Sequence, residues 1–241
     1  MATHVRASDR PLNYTAITEV LLLGGTALLL LMKWLRGQIP FYIHPRYTAL
    51  VVVAGVILLL MAIVRVRAIY AEQSTNRPGW VYLLLAVPLL LGTIVPARPL
   101  GADTLAARGA ELSRVPNTGR AAQLARDTNS WSLLDWGTAL SVQGDALRGK
   151  PADVVGFVFH DDGLGADAFY AVRYVVTCCA ADGAGVGLPV LWAGGGSLPE
   201  NGWVRIIGTI DTASVAGLDQ PVLRATAVEP VPQPENPYLY P

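Results

Sequence analysis

Apolar positions follow two different rhythms along this chain. In residues 1–98 they come as three long runs; beyond residue 150 they come as short alternating stretches separated by Gly, Asp and Asn. The first run, residues 16–34, is rich in Leu, Val and Ala and closes on Lys33, Trp34 and Arg36. It is long enough to cross a hydrocarbon core of ~30 Å. It reads as an anchor and not as a signal peptide, because no small-x-small cleavage site follows it. The second run, residues 47–64, carries no charge between Arg46 and Arg65 and is the clearest span. The third, residues 80–96, is short and contains Pro88 and Gly92. A tilted or kinked crossing is expected there, with a re-entrant or interfacial segment as the alternative.

The periodicity turns helical between residues 99 and 149. Leu105, Ala106, Ala110 and Leu112 recur at helical spacing until Pro116-Asn-Thr-Gly119, and a short amphipathic piece covers Arg120–Arg126. Thr128-Asn-Ser130 offers an N-cap for a helix over Trp131–Leu147, with Leu133, Leu134, Trp136 and Leu140 as its apolar stripe. Trp131 and Trp136 read as packing residues. After Gly149-Lys-Pro151 the pattern predicts strands at Asp153–Phe159, Ala168–Thr177, Gly187–Trp192, Trp203–Asp211 and Leu223–Glu229, with turn residues in every gap.

The expected fold is therefore a membrane α + β protein. Three N-terminal transmembrane helices (1–98) lead through a helical connector (99–149) to a C-terminal antiparallel, OB-like β-barrel (150–229). The Pro-rich tail, residues 230–241, is expected to lie outside the core.

Charge sharpens this division. Residues 1–99 carry nine Lys/Arg against three acids, and residues 100–241 carry nine against fifteen. A neutral total thus hides a basic membrane region and an acidic appended domain. Such a domain lacks the clustered cations that phosphate neutralisation needs, which excludes nucleic acid as a partner and leaves cations as suitable ones. Arg6, Arg10, Arg65, Arg67 and Arg77 against Lys33, Arg36, Arg46 and Arg98 tilt the N-terminus toward the cytoplasm. Three crossings then put the C-terminal domain outside it. Under three crossings His44 and Arg46, in the first loop, share a compartment with that domain whatever the orientation.

Candidate chemistry concentrates at Arg173-Tyr-Val-Val-Thr-Cys-Cys-Ala-Ala-Asp182, which holds both cysteines of the chain, Cys178 and Cys179. Adjacent cysteines close a disulfide only through a strained ring, so a structural staple is not expected. Three readings stay open. The pair could hold zinc or a similar ion, with Asp182, His160, Asp161, Asp162 or His44 completing the sphere. It could be a redox pair, with Arg173 on the face of Cys179 lowering a thiol. Or it could fill a small-residue corner of the core. His160-Asp-Asp162 also suits a solvated hairpin tip. His44-Pro-Arg46 suits either a ligand beside a headgroup-facing arginine or an interfacial loop anchored by Phe41, Tyr42 and Tyr47. Glu19 lies one turn from the end of its span and can snorkel. Gly194-Gly-Gly-Ser197 is not followed by the signals of a phosphate loop, and no catalytic triad or carboxylate pair assembles. A non-enzymatic role is expected.

Several phrases carry a resemblance: Tyr42-Ile-His-Pro-Arg46, Gly149-Lys150 with Gly156-Phe-Val158, Arg173 through Asp182 followed by Val186-Gly-Leu188, and Gly202-Trp-Val-Arg-Ile-Ile-Gly208. In this order the chain resembles the YcgQ-like membrane proteins of bacteria, a family built on a domain of unknown function. The Cys-Cys-x-Ala-Asp phrase is the most specific part of it. The resemblance implies a multi-pass protein of the bacterial cell membrane. It also implies an accessory role beside a multi-span permease and, through zinc-responsive gene sets in some bacteria, a zinc site at Cys178 and Cys179. The Pro-rich tail falls outside the shared pattern.

Overall fold

A computed structural model describes residues 13–71, 79–108, 128–161, 163–215 and 217–241. The expectations for Arg6, Arg10, Arg77, the 109–127 part of the connector and Asp162 lie outside the described residues. Two compact units emerge: residues 1–40 with 45–98, and residues 41–44 with 99–241.

The first unit holds α1 (Tyr14–Leu35), α2 (Thr48–Ala71) and α3 (Val81–Ile94). Asn13 caps α1, its side-chain oxygen accepting from the Ala16 N–H at 3.1 Å. The first two helices are long and apolar enough to cross a membrane; α3, at 14 residues, is shorter. Small residues let the helices approach closely. A Cβ on Gly25 would stand 2.8 Å from a methyl of Leu89, and one on Gly92 would stand 2.6 Å from a methyl of Leu29. Glu19 does not merely snorkel. It pairs with Arg65 of α2 at 2.5 Å and accepts from the Tyr82 hydroxyl of α3 at 3.0 Å, which ties the three helices at one end.

The second unit holds α4 (Ala102–Arg108), α5 (Leu133–Gln143) and β1 (Pro151–Phe159), β2 (Ala168–Val175), β3 (Ala184–Leu191), β4 (Trp203–Val215), β5 (Leu218–Pro230) and β6 (Tyr238–Leu239). The N-cap of α5 is Ser132, not Thr128-Asn-Ser130, which forms its own 3-10 turn. Ser132 and Asp135 make a reciprocal capping box, satisfying two backbone donors at once. The helix stops at Gln143, where Gly144 begins a second 3-10 turn, so it is shorter than the Trp131–Leu147 expectation.

The strands make one six-stranded sheet in the order β1-β4-β5-β3-β2-β6, with a further β1–β2 pairing. Each of β1 to β5 therefore pairs with at least two of the others, in a closed circuit. The sheet is not wholly antiparallel: β3–β5 and β2–β6 run parallel. β2 is buried on both faces because alternation sends its side chains to two clusters. Phe169 and Ala171 pack with Trp136, Val158, Val190, Ile206 and Leu223, while Val172 and Tyr174 pack with Leu105, Phe157 and Tyr238. Full burial of a side chain such as Phe169 contributes about 1.5–3 kcal/mol. Gly208 sits at a register shift in β4, where a Cβ would stand 2.1 Å from the carbonyl oxygen of Arg224.

The tail corrects an expectation. Its end is β6, and Tyr238 is 2% exposed. The Tyr238 hydroxyl accepts from the Leu100 N–H at 2.9 Å and donates to the Phe41 carbonyl at 3.0 Å.

Candidate metal corner

The β2 strand delivers the cysteines. After Val175 the backbone makes one more bond to the tail, Val176 N–H to Leu239 O at 3.0 Å, and then leaves the sheet. Cys179 is still extended, and Ala180–Asp182 closes into a 3-10 turn in which the Asp182 N–H donates to the Cys179 carbonyl at 3.0 Å. A strand sends consecutive side chains to opposite faces. Because the strand has ended, the two sulfurs instead converge, with the Cys178 thiol donating to Cys179 Sγ at 3.7 Å.

The Asp182 carboxylate organises the turn. One oxygen accepts from the Thr177 N–H at 3.0 Å; the other accepts from the N–H groups of Cys178 at 2.7 Å and Cys179 at 3.3 Å. Cys178 and Asp182 are exposed and Cys179 is half-buried. One ligand atom from each of the three lies within 4.8 Å of the other two.

These contacts shift the acidities. The hydrogen bond to the Asp182 carboxylate, and then the one to Cys179, push the Cys178 thiol up to about 11, with burial and the nearby charges adding to the rise. At Asp182 burial pushes upward, but hydrogen bonds from the Cys178 thiol and from three backbone N–H groups outweigh it and hold the carboxyl below its usual range.

A third chain segment supports the turn from behind. Residues 41–44 belong to this unit, and Ile43 forms an antiparallel bridge with Cys179. The His44 N–H donates to the Cys178 carbonyl at 2.9 Å, and the Ala180 N–H donates to the Tyr42 carbonyl at 2.8 Å. The His44 ring lies against Tyr240, centroids 4.4 Å apart.

The remaining sequence candidates separate. His160 does not join the corner. Its Nδ1 bonds Glu200 at 2.6 Å and its Nε2 faces the Gly195 carbonyl at 3.3 Å. It follows Phe159, which pairs with Tyr170, whereas Cys178 lies eight residues beyond Tyr170. The strand rise from Tyr170 to Val175 alone separates them by roughly 17 Å. Asp161 caps the hairpin tip by accepting from the Gly163 N–H at 2.9 Å. Arg173 does not serve the thiols. It donates to the carbonyls of Asn236, Pro237 and Tyr238 and lies 5.6 Å over the Trp203 ring. Arg46 belongs to the helical unit and lies 5.6 Å over the Tyr47 ring. Sequence reasoning missed Tyr238, Tyr240 and Glu200. The alternation of Tyr238-Leu-Tyr240 was the available signal for the first two; Glu200 had none.

The donor set fits a borderline cation. Two thiolates on one tetrahedral zinc at ~2.3 Å stand about 3.8 Å apart. The observed 3.7 Å is that spacing, and it is far from the ~2.05 Å of a disulfide. The Asp182 oxygen that accepts one hydrogen bond keeps a second lone pair for a ligand bond.

Comparison with known proteins gives a consistent picture. A protein of Streptococcus mutans serotype c (strain ATCC 700610 / UA159), named "Putative two-component membrane permease complex subunit", is 22% identical over 267 residues. The match covers 91% of this chain and 97% of that protein. No solved structure matches the chain significantly. Residues 18–111 match the DUF1980 N-terminal domain, and residues 124–241 match the DUF1980 C-terminal domain. With both domains present in order, the chain belongs to the DUF1980 family.

Proposed function

We propose that this chain is a non-catalytic accessory subunit of a membrane permease, and that its Cys178–Cys179–Asp182 corner binds a transition-metal ion such as zinc. The permease role rests on the name of the Streptococcus mutans relative, which the chain matches over nearly its whole length. The metal reading rests on one observation, the 3.7 Å separation of two sulfurs beside a carboxylate. Cys178 and Cys179 are the thiolate ligands and Asp182 supplies the carboxylate oxygen. Zinc at such a corner holds charge and geometry without redox chemistry.

Two further features belong to this reading. The closed circuit β1-β2-β3-β5-β4 reads as an OB-like barrel. Parity supports the reading of three crossings. If α1 and α2 both span, the segment 41–44 lies on one side and the end of α2 on the other. The Cys178–Ala180 turn, whose backbone pairs with residues 42–44, is then reached if α3 crosses back. Fourteen helical residues rise only ~21 Å, and residues 95–98, once extended, would supply the remaining ~9 Å. The protein is then multi-pass in a bacterial cell membrane, and the arginine distribution favours an extracytoplasmic C-terminal domain.

The redox alternative is weakened by the raised Cys178 thiol and by the engagement of Arg173 elsewhere. The packing alternative is weakened by the exposure of Cys178. Elemental analysis of the full-length protein in detergent tests the metal reading. One zinc per chain is expected, lost in Cys178→Ser/Cys179→Ser; equal metal content in both proteins overturns it. A compartment reporter fused after Lys150 tests the crossings, and a cytoplasmic signal overturns the orientation.

A further inference from the structure

All three donors at the corner come from five consecutive residues in one exposed turn, Cys178 to Asp182. Structural zinc sites are closed by four protein ligands, whereas reactive or exchanging sites keep a position open. The chain has no cysteine beyond these two, so no further sulfur of its own can close the sphere. His160 is engaged with Glu200 and Gly195 beyond the far end of β2. Among the described residues the only group of three or more metal-capable side chains is this one, and it stops at three donors.

The turn beneath these donors is firmly held. Its backbone is paired to residues 42–44 on one side and to the Asp182 carboxylate on the other. Three backbone N–H bonds keep that carboxylate in place whether or not it touches an ion. A carboxylate oxygen is also the hardest of the three donors, and the first that a borderline or soft ion releases.

Resting on the metal reading of this corner, we propose that the bound ion keeps one coordination position open to solvent. That position accepts a thiolate or imidazole from an incoming metal-carrying protein, so the corner is a transfer site and not a structural clamp. In the transfer step one ligand bond to the ion forms and one breaks, with no change of oxidation state. The Asp182 oxygen leaves first and remains fixed by its backbone hydrogen bonds, so the turn survives unloading.

Cobalt(II) serves as the probe, with imidazole standing in for the incoming ligand. Full-length protein in detergent, reduced and loaded with one equivalent of cobalt, reports its coordination through ligand-field bands and its thiolates through near-ultraviolet charge transfer. Imidazole is expected to shift the ligand-field bands along a saturable curve while the charge-transfer band persists. Loaded protein whose bands ignore imidazole has a closed sphere, which overturns the inference and leaves the metal reading standing. Protein that takes up no cobalt overturns both. Asp182→Asn is expected to keep the charge-transfer band and to lose cobalt to a competing chelator faster than the wild type. An unchanged release rate overturns the exchange at Asp182.

Discussion

The Asp182 carboxylate is the leading cause of the raised Cys178 thiol, so Asp182→Asn is the sharpest perturbation of the corner. At pH 8 a thiol titrating at about 11 is ~0.1% thiolate, whereas an ordinary thiol near 8.5 is about a quarter thiolate. Thiolate population alone would accelerate alkylation roughly two-hundredfold. A less basic thiolate is a weaker nucleophile, however, and a Brønsted coefficient of ~0.4–0.5 over ~2.5 units takes back about tenfold or more. The net expectation is an acceleration of roughly ten- to twentyfold. The hydrogen bond between Cys178 and Cys179 survives the substitution, which makes the lower figure the better target. Asn keeps one oxygen for the backbone N–H groups, and water reaches the others at this exposed turn, so the stability cost stays at about 1 kcal/mol. The assay is the second-order rate of iodoacetamide alkylation against pH on reduced full-length protein, with the modified position read by tandem mass spectrometry. An unchanged rate at pH 8, in a variant whose circular dichroism matches the wild type, would refute the assignment of the shift to Asp182.

Three further outcomes follow from the same contacts. If the corner binds zinc as proposed, the ion must displace the Cys178 proton, and a thiol held at about 11 stays protonated below pH 9, so affinity should climb about tenfold per pH unit from this group alone; chelator competition between pH 6 and 9 checks it, and a flat profile contradicts it. Arg173→Ala removes the clasp on Asn236, Pro237 and Tyr238 and the stacking on Trp203, which should cost about 2–3 kcal/mol in thermal unfolding and expose residues 230–241 to limited proteolysis. Gly208→Ala forces a Cβ against the backbone of Arg224 and Ala225, so the β4–β5 pairing must shift, and thermal unfolding should fall by about 1–3 kcal/mol or more.

What could be read from the residues alone divides by the range of the signal. Continuous apolar runs and strict alternation are local, so α1, α2 and the cores of β1 to β5 were visible. The start of β5 was not. Leu218-Asp-Gln-Pro221 is polar and contains a proline, yet it is strand because it pairs across the hairpin with Thr212 through Val215. The N-cap of α5 was legible but misassigned. Thr128 and Ser132 are both competent caps, and only Ser132 has an acid three residues on to close the box. Five prolines in the tail masked Tyr238-Leu-Tyr240, whose alternation is what β6 uses. The placement of His160 away from the corner was invisible, because the partner it bonds, Glu200, lies 40 residues away.

The same division runs through the corner itself. Its donors are local: two sulfurs and a carboxylate within five residues, a spacing that any inspection of the chain finds. Its support is not local. The turn is paired to residues 42–44, more than a hundred positions earlier, and β2 above it is paired to the last strand of the tail. His44 illustrates the difference. The sequence leaves its imidazole between a ligand role and an interfacial loop, whereas the long-range contact seen at the corner is that of its backbone N–H, which fixes the Cys178 carbonyl. A five-residue motif on a free loop would pay conformational entropy each time it gathered three donors around an ion. Paired on both sides, this one has its sulfurs at 3.7 Å already. Under the proposed metal reading, an ion arriving at such a corner would order little, so the donors would capture and release it without refolding the turn.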